Sequence, residues 1–150
     1  MTRLPVVLVL LGLLASCAEP DFRYGDGSPG QFSDWQGRWV VVNYWAEWCA
    51  PCRHEIPELN QLAEAELDRV LVIGVNYDGL AGDALIDVAR KMGIEFKLVD
   101  RDPRQHFGAE RPSVLPTTLL IDPTGALVET LVGPQTQLTL VESMGLTVEM

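Results

Sequence analysis

Residues 39–52 read Trp39-Val40-Val41-Val42-Asn43-Tyr44-Trp45-Ala46-Glu47-Trp48-Cys49-Ala50-Pro51-Cys52, and this stretch decides the fold. Its first seven residues are β-branched or aromatic with little interruption, the composition of a buried strand. A turn-like Ala46-Glu47-Trp48 follows, and a helical pattern starts near Cys49. Ile56, Leu59, Leu62, Ala63 and Leu67 recur at three- and four-residue spacings and so form one apolar stripe. Two cysteines therefore stand where a strand hands the chain to a helix.

Working outward, Val70-Leu71-Val72-Ile73-Gly74-Val75-Asn76 is a second near-continuous apolar run, of the kind found in parallel sheets covered on both faces. Leu85, Val88, Ala89 and Met92 predict a second helix, with Asp83 as its N-cap and Gly93 as its stop. Residues 96–99 fit a short strand. Residues 117–121 and 126–132 flank Asp122-Pro123-Thr124-Gly125, a good hairpin turn. Gly133-Pro134 is expected to open a last helix carrying Leu138, Val141 and Met144, with Pro at the first helical position. The order β-α-β-α-β-β-α gives an α/β fold, a mixed sheet between helices.

The chain has 150 residues, 47% of them hydrophobic, which suits one domain and argues against disorder. Eleven Lys and Arg stand against 21 Asp and Glu, a formal charge of −10, so binding to a phosphate backbone is excluded as an expected role. No nucleic-acid partner is expected. Behind Arg3, residues 4–14 form an apolar run followed by the small residues Ala15, Ser16 and Ala18. Eleven helical residues span only about 16 Å, against a hydrocarbon core of about 30 Å, so this is an export signal and not a membrane span. Leu14-Ala15-Ser16-Cys17 also resembles the bacterial lipobox, whose cysteine becomes an acylated N-terminus. Cleavage after Ala18 by an ordinary signal peptidase is the alternative. We take Cys17 as the lipidated residue, because it would otherwise be a stray thiol in an exported chain. The expected organisation is a signal over residues 1–16, a lipidated N-terminus and tether over 17–30, and a folded domain over 31–150. Ala18 is not the Asp that holds some lipoproteins at the inner membrane, a weak pointer to the outer one.

Cys49-Ala50-Pro51-Cys52 has the spacing of a redox dithiol. The first turn of a helix offers unpaired N–H groups and the positive end of the helix dipole, which favour a thiolate over a thiol. Only the thiolate attacks disulfides. Pro51 loses no helical hydrogen bond so early in a helix. Half of a zinc site is the first alternative, but His54 and His106 lack the matching spacing, so no metal is expected. A permanent structural disulfide is the second, although so short a loop gains little from closure.

Residues 43–52 resemble the active-site segment of thioredoxins. Extended through Arg53-His54-Glu55-Ile56-Pro57, they resemble the membrane-tethered TlpA/ResA-like thiol-disulfide oxidoreductases. Phe32-Ser33-Asp34-Trp35-Gln36-Gly37, Gly74-Val75-Asn76-Tyr77-Asp78, Pro116-Thr117-Thr118 and Ile121-Asp122 also fit that family, so the likeness covers nearly all of residues 31–145. It implies a thioredoxin-like three-layer sandwich. It implies that Cys49 is an exposed nucleophile and Cys52 the buried resolving cysteine. Pro116 matches a cis-proline that packs near the cysteines and leaves the backbone of Leu115 free to pair with an extended substrate segment. Trp48 shields one side of the disulfide and belongs to the substrate face, whereas Trp45 belongs to the core. Asn43 stands where cytosolic thioredoxins carry a buried Asp, and Glu55, three residues after Cys52, matches a Glu of the TlpA/ResA-like branch. Glu55 is expected to relay a proton and tune the thiols, with a solvated surface Glu as the alternative. Pro57 is expected to kink the helix, His54 is either exposed or a modulator of Cys52, and His106 is assigned no role.

The resemblance implies an extracytoplasmic enzyme that reduces disulfides of exported proteins such as apocytochrome c. Its electrons would come from a membrane thiol reductase. The redox-active Cys49 and Cys52 would serve without any further cofactor, in a monomer held to a bacterial membrane by lipid at Cys17. A copper-delivery module is the rival, because paired thiolates select Cu(I). The usual copper-carrier spacing in this fold is three residues with a dedicated His, and here it is two.

Overall fold

The computed structural model describes residues 19–66 and 68–147. The expectations for the signal over residues 1–16, for Cys17 and Ala18, and for Leu67 in the helical stripe lie outside the described residues.

Among the described residues, seven strands and three α-helices follow in chain order: β1 (Phe22–Arg23), β2 (Pro29–Gly30), β3 (Trp39–Trp45), α1 (Ala50–Ala65), β4 (Val70–Asn76), α2 (Gly82–Met92), β5 (Lys97–Val99), β6 (Thr117–Ile121), β7 (Leu127–Val132) and α3 (Gln137–Ser143). The main sheet has the order β5-β4-β3-β6-β7. β3 is its centre, parallel to β4 with Val41 opposite Val72, and antiparallel to β6 with Asn43 opposite Thr118. β3 and β4 are apolar almost throughout because both of their faces are covered, as their composition requires. This is the thioredoxin-like α/β arrangement, and it puts the C-terminal end of the central strand directly before Cys49.

Alternation along β3 splits the core in two. Val41 and Trp45 share one cluster with Cys52, Ile56, Leu59 and Leu62 of α1, Leu85 and Ala89 of α2, and Leu140 and Val141 of α3. All three helices thus bury their stripes against one face. On the other face Val40, Val42 and Tyr44 pack with Ile73, Leu119 and Ile121 under Phe22 and Trp35. That third layer is built from the β1–β2 hairpin, a 3-10 turn over Phe32–Trp35 and the segment around Phe107. The expected tether is therefore corrected: from Phe22 onward residues 17–30 fold onto the domain. Phe22 is buried against Tyr24, Phe32 and Trp35 with ring centroids 4.9–5.2 Å apart. Tyr24 bridges Val99, and the Gly25 N–H donates to Leu98 O at 2.9 Å, so this segment also covers the β5 edge.

Four local expectations change. α2 is capped by Ala81, and Asp83 sits inside its first turn, where its charge still favours the helix N-terminus. Gly93 does stop it, in a left-handed conformation with φ 75°. α3 starts at Gln137, not at Pro134, because the Thr136 hydroxyl accepts from Thr139 N at 3.1 Å and makes the stronger cap. Leu138 is exposed, and the buried stripe of α3 is Leu140, Val141 and Met144. In the β6–β7 turn the Asp122 carboxylate accepts from the backbone N–H groups of Thr124 and Ala126, which delays β7 to Leu127.

Gly74 in β4 leaves the space that Trp45 fills. A Cβ there would lie 2.6 Å from Leu98 Cδ2, 2.8 Å from Phe96 Cε2 and 3.0 Å from Trp45 Nε1. Gly74→Ala is expected to lower the unfolding free energy by about 1–3 kcal/mol, the usual cost of overpacking, in urea titration of the oxidised chain. Unchanged stability would contradict this packing.

Candidate active site

α1 begins with its own sulfur as the cap. Cys49 has extended backbone angles, φ −83° and ψ 98°, and its Sγ accepts from Cys52 N at 3.2 Å. Pro51 sits in the first turn, where its missing N–H costs nothing. The first turn holds no Asp or Glu that would offset the positive helix end, and Arg53 follows with an exposed guanidinium whose Nη2 donates to Glu47 O at 2.7 Å. The site therefore favours negative charge on Sγ. The two sulfurs are joined in a disulfide, with Cα atoms 5.3 Å apart.

Cys49 was expected to be exposed, and this is corrected: it is 3% exposed, against 0% for Cys52. Both bonded cysteines are therefore buried, and the Cys49 sulfur accepts from the helix end that it caps. Trp48 beside it is 65% exposed, held by its indole N–H donating to Asp78 Oδ2 at 3.0 Å and by edge-on contact with Tyr77. Arg111 lies over the Tyr77 ring at 4.4 Å and donates to Tyr77 O at 3.2 Å. Trp48, Tyr77 and Arg111 thus join the cysteine turn, the end of β4 and the segment before Pro116.

The Leu115–Pro116 peptide bond is cis, as the family resemblance implied. Pro116 is buried and its carbonyl accepts from Gly133 N at 2.9 Å, while Leu115 precedes the paired residues of β6 and is half-buried against both core clusters. His54 is exposed. His106 is exposed on the opposite layer, stacked on Phe32 with centroids 4.2 Å apart. Pro57 lies inside α1, which continues through it to Ala65.

Beneath the cysteines is a buried polar network. Glu55 is fully buried, which excludes the solvated alternative. Its Oε1 accepts from Asn43 Nδ2 at 2.7 Å and its Oε2 from Gln135 N at 3.0 Å. Asn43 Nδ2 also donates to Thr118 Oγ1 at 3.1 Å. Burial raises the Glu55 carboxyl to about 7, against the lowering effect of the bonds from Gln135 and Asn43. One turn further on, Glu58 accepts from Gln137 N at 2.9 Å, so α1 holds the β7–α3 connection at two points. Gln135 and Gln137 could not be found from sequence, since they take part through backbone N–H groups. Asp78 and Tyr77 lay in a segment that fitted the family without showing their contacts to Trp48.

Residues 17–130 match the AhpC/TSA family. The thiol-disulfide oxidoreductase ResA of Bacillus subtilis (strain 168) is 33% identical over 130 residues, covering 85% of this chain and 72% of its own. The thiol:disulfide interchange protein HelX of Rhodobacter capsulatus is 32% identical over 102 residues, 67% of this chain and 56% of its own. The crystal structure of a DsbF homologue from Corynebacterium diphtheriae superposes with a TM-score of 0.66 at 26% identity over 85% of each chain.

A carboxyl raised from 4.5 to about 7 is protonated in the folded chain and ionised in the unfolded one between those values. Its contribution to stability is full below about pH 4.5 and is lost as pH rises through 7. Urea titration at pH 5 and pH 8 is expected to show the wild-type chain losing about 2–3 kcal/mol more than Glu55→Gln over this range. Equal losses would mean that Glu55 does not titrate as a buried acid.

Proposed function

The chain belongs to the AhpC/TSA family and is a thioredoxin-like thiol-disulfide oxidoreductase, and on that premise we propose that it reduces disulfides of exported proteins from a lipid anchor outside the cytoplasm. The observation that carries the reading is the Cys49 sulfur at the end of α1 with a buried carboxyl one turn below its partner cysteine. The helix end holds Cys49 as a thiolate, which attacks a client disulfide and forms a mixed disulfide, releasing the client's first thiolate. Cys52 then attacks Cys49 Sγ, expels the second client sulfur, and leaves Cys49 bonded to Cys52. The proton lost by Cys52 goes to Glu55. At i+3 from Cys52, this group lies on the same helical face. A carboxyl raised to about 7 takes a proton and returns it near neutrality, where an ordinary Glu would not.

Trp48 and the backbone of Leu115 before Pro116 form the face that receives an extended client segment. Val114 and Trp48, both exposed, give that face its apolar surface. No group beyond the dithiol is needed. Two electrons from a membrane thiol reductase restore it, and oxidised apocytochrome c, with its Cys-x-x-Cys-His segment, is a client of suitable chemistry. An exposed lipoprotein thioredoxin of Streptococcus pneumoniae shares the fold at a TM-score of 0.65, which supports the location. Cys17 takes the acyl chains, and the chain acts as a monomer.

The test uses the full chain in its reduced form, with insulin and an oxidised Cys-x-x-Cys-His peptide as substrates. Wild type is expected to reduce both, Cys49→Ser neither, and Cys52→Ser to stop at a mixed disulfide seen by mass spectrometry. A wild-type dithiol inert toward both substrates would overturn the proposal. For the anchor, labelled palmitate is expected to enter the chain in bacteria and to be lost in Cys17→Ser. Equal labelling of the variant would place any acylation elsewhere.

A further inference from the structure

Among the described residues, three buried side-chain polar atoms have no hydrogen-bond partner: Asn43 Oδ1, Trp45 Nε1 and Asn76 Nδ2. Two of them are donors, and only Asn43 Oδ1 is an acceptor. An unpaired buried acceptor costs about 1–3 kcal/mol, and Asn43 is fully buried. Its amide is held by the opposite atom, since Nδ2 donates to both Glu55 Oε1 and Thr118 Oγ1. By its alternation with Val41 and Trp45, Asn43 belongs to the face of β3 that α1 covers, and Cys52 lies on α1 one turn before Glu55.

The disulfide form contains no hydrogen on either sulfur. Reduction changes the inventory of donors beneath α1 by one. An incoming dithiol gives two electrons to the Cys49–Cys52 bond and becomes a disulfide; the bond breaks, Cys49 leaves as a thiolate, Cys52 takes one of the donor's protons as a thiol, and the donor's second proton passes to solvent. The new S–H is fully buried and needs an acceptor, on the same side of the sheet as an acceptor that has none.

We propose that Asn43 is a positioning residue for the resolving cysteine: its Oδ1 accepts the hydrogen of the Cys52 thiol once the disulfide opens. This rests on the exchange chemistry proposed above and adds the element that selects which sulfur keeps a proton. Held on Asn43, the proton stays on Cys52 and the charge stays on Cys49 until a mixed disulfide forms and Glu55 takes the proton. An amide does this without titrating. The Oδ1 bond exists only in the dithiol form, so this one contact stabilises that form alone, and its effect appears in the redox equilibrium, whereas the Nδ2 bonds to Glu55 and Thr118 are already made in the disulfide form.

The experiment equilibrates the full chain with glutathione buffers and reads the dithiol–disulfide ratio for wild type, Asn43→Ala and Thr118→Val. Asn43→Ala is expected to shift the equilibrium about tenfold away from the dithiol, equal to about 30 mV. Thr118→Val removes a partner of Nδ2 and leaves Oδ1 untouched, so it is expected to stay within about twofold, inside the range of one weak neutral hydrogen bond. An unchanged equilibrium in Asn43→Ala, or an equal shift in Thr118→Val, would overturn the inference. A second measurement needs no variant. In the reduced-minus-oxidised infrared difference spectrum of the wild-type chain, the Cys52 S–H stretch should fall below the frequency of an unbonded thiol, and a band at the unbonded frequency overturns the proposal. A wild-type chain that does not exchange with glutathione at all would instead bring down the exchange chemistry, and this inference with it.

Discussion

The contact on which the site depends is the short one between Cys49 Sγ and the Cys52 N–H at the start of α1. A helix end normally satisfies its free N–H groups with a Ser, Thr, Asp or Asn side chain. Here a sulfur takes that place, with no carboxylate in the first turn to compete for the field. The helix dipole and the free donors together supply up to about 2 kcal/mol toward a negative charge, enough to move a thiol by more than one pH unit. The architecture serves this arrangement. β3 is the central strand, buried on both faces, and its rigid end fixes where the helix begins.

The second cysteine sits in the opposite setting, sealed from solvent inside α1. Burial of Glu55 beside it disfavours charge on the carboxyl, which is raised to about 7 in consequence. Burying that carboxyl is unfavourable to folding near neutral pH, and the bonds from Asn43 and Gln135 offset part of the cost. Those bonds also tie α1 to β3 and to the β7–α3 connection. The same network therefore holds the helix in place and fixes the buried Glu55 carboxyl one turn from Cys52.

The sheet and its central site were legible in the sequence because apolar runs without alternation permit few arrangements. β3, β4 and β6 matched their expected ranges, and Gly93 ended α2 as its conformational freedom predicts. The N-terminal hairpin was hidden, because Gly25, Gly27, Pro29 and Gly30 read as a flexible connection; Phe22 and Tyr24 were the signal that it docks. The start of α3 differs because Pro134 and Thr136 both suit a helix entry; the Thr136 hydroxyl makes the cap, and the bonds from Gln135 and Gln137 to α1 hold the connection around it. Glu55 was found through its spacing from Cys52 and the family pattern. Its burial was not, since Glu is ordinarily exposed and only the packed position of α1 removes it from water.

The most direct test of the central claim is the rate at which Cys49 of the reduced chain is alkylated as a function of pH, with the labelled residue identified by mass spectrometry. If the start of α1 holds a thiolate, the rate reaches half its maximum at least one pH unit below the value near 8.5 of an ordinary cysteine, and label accumulates on Cys49 before Cys52. A midpoint near 8.5, or equal labelling of the two sulfurs, would contradict the account.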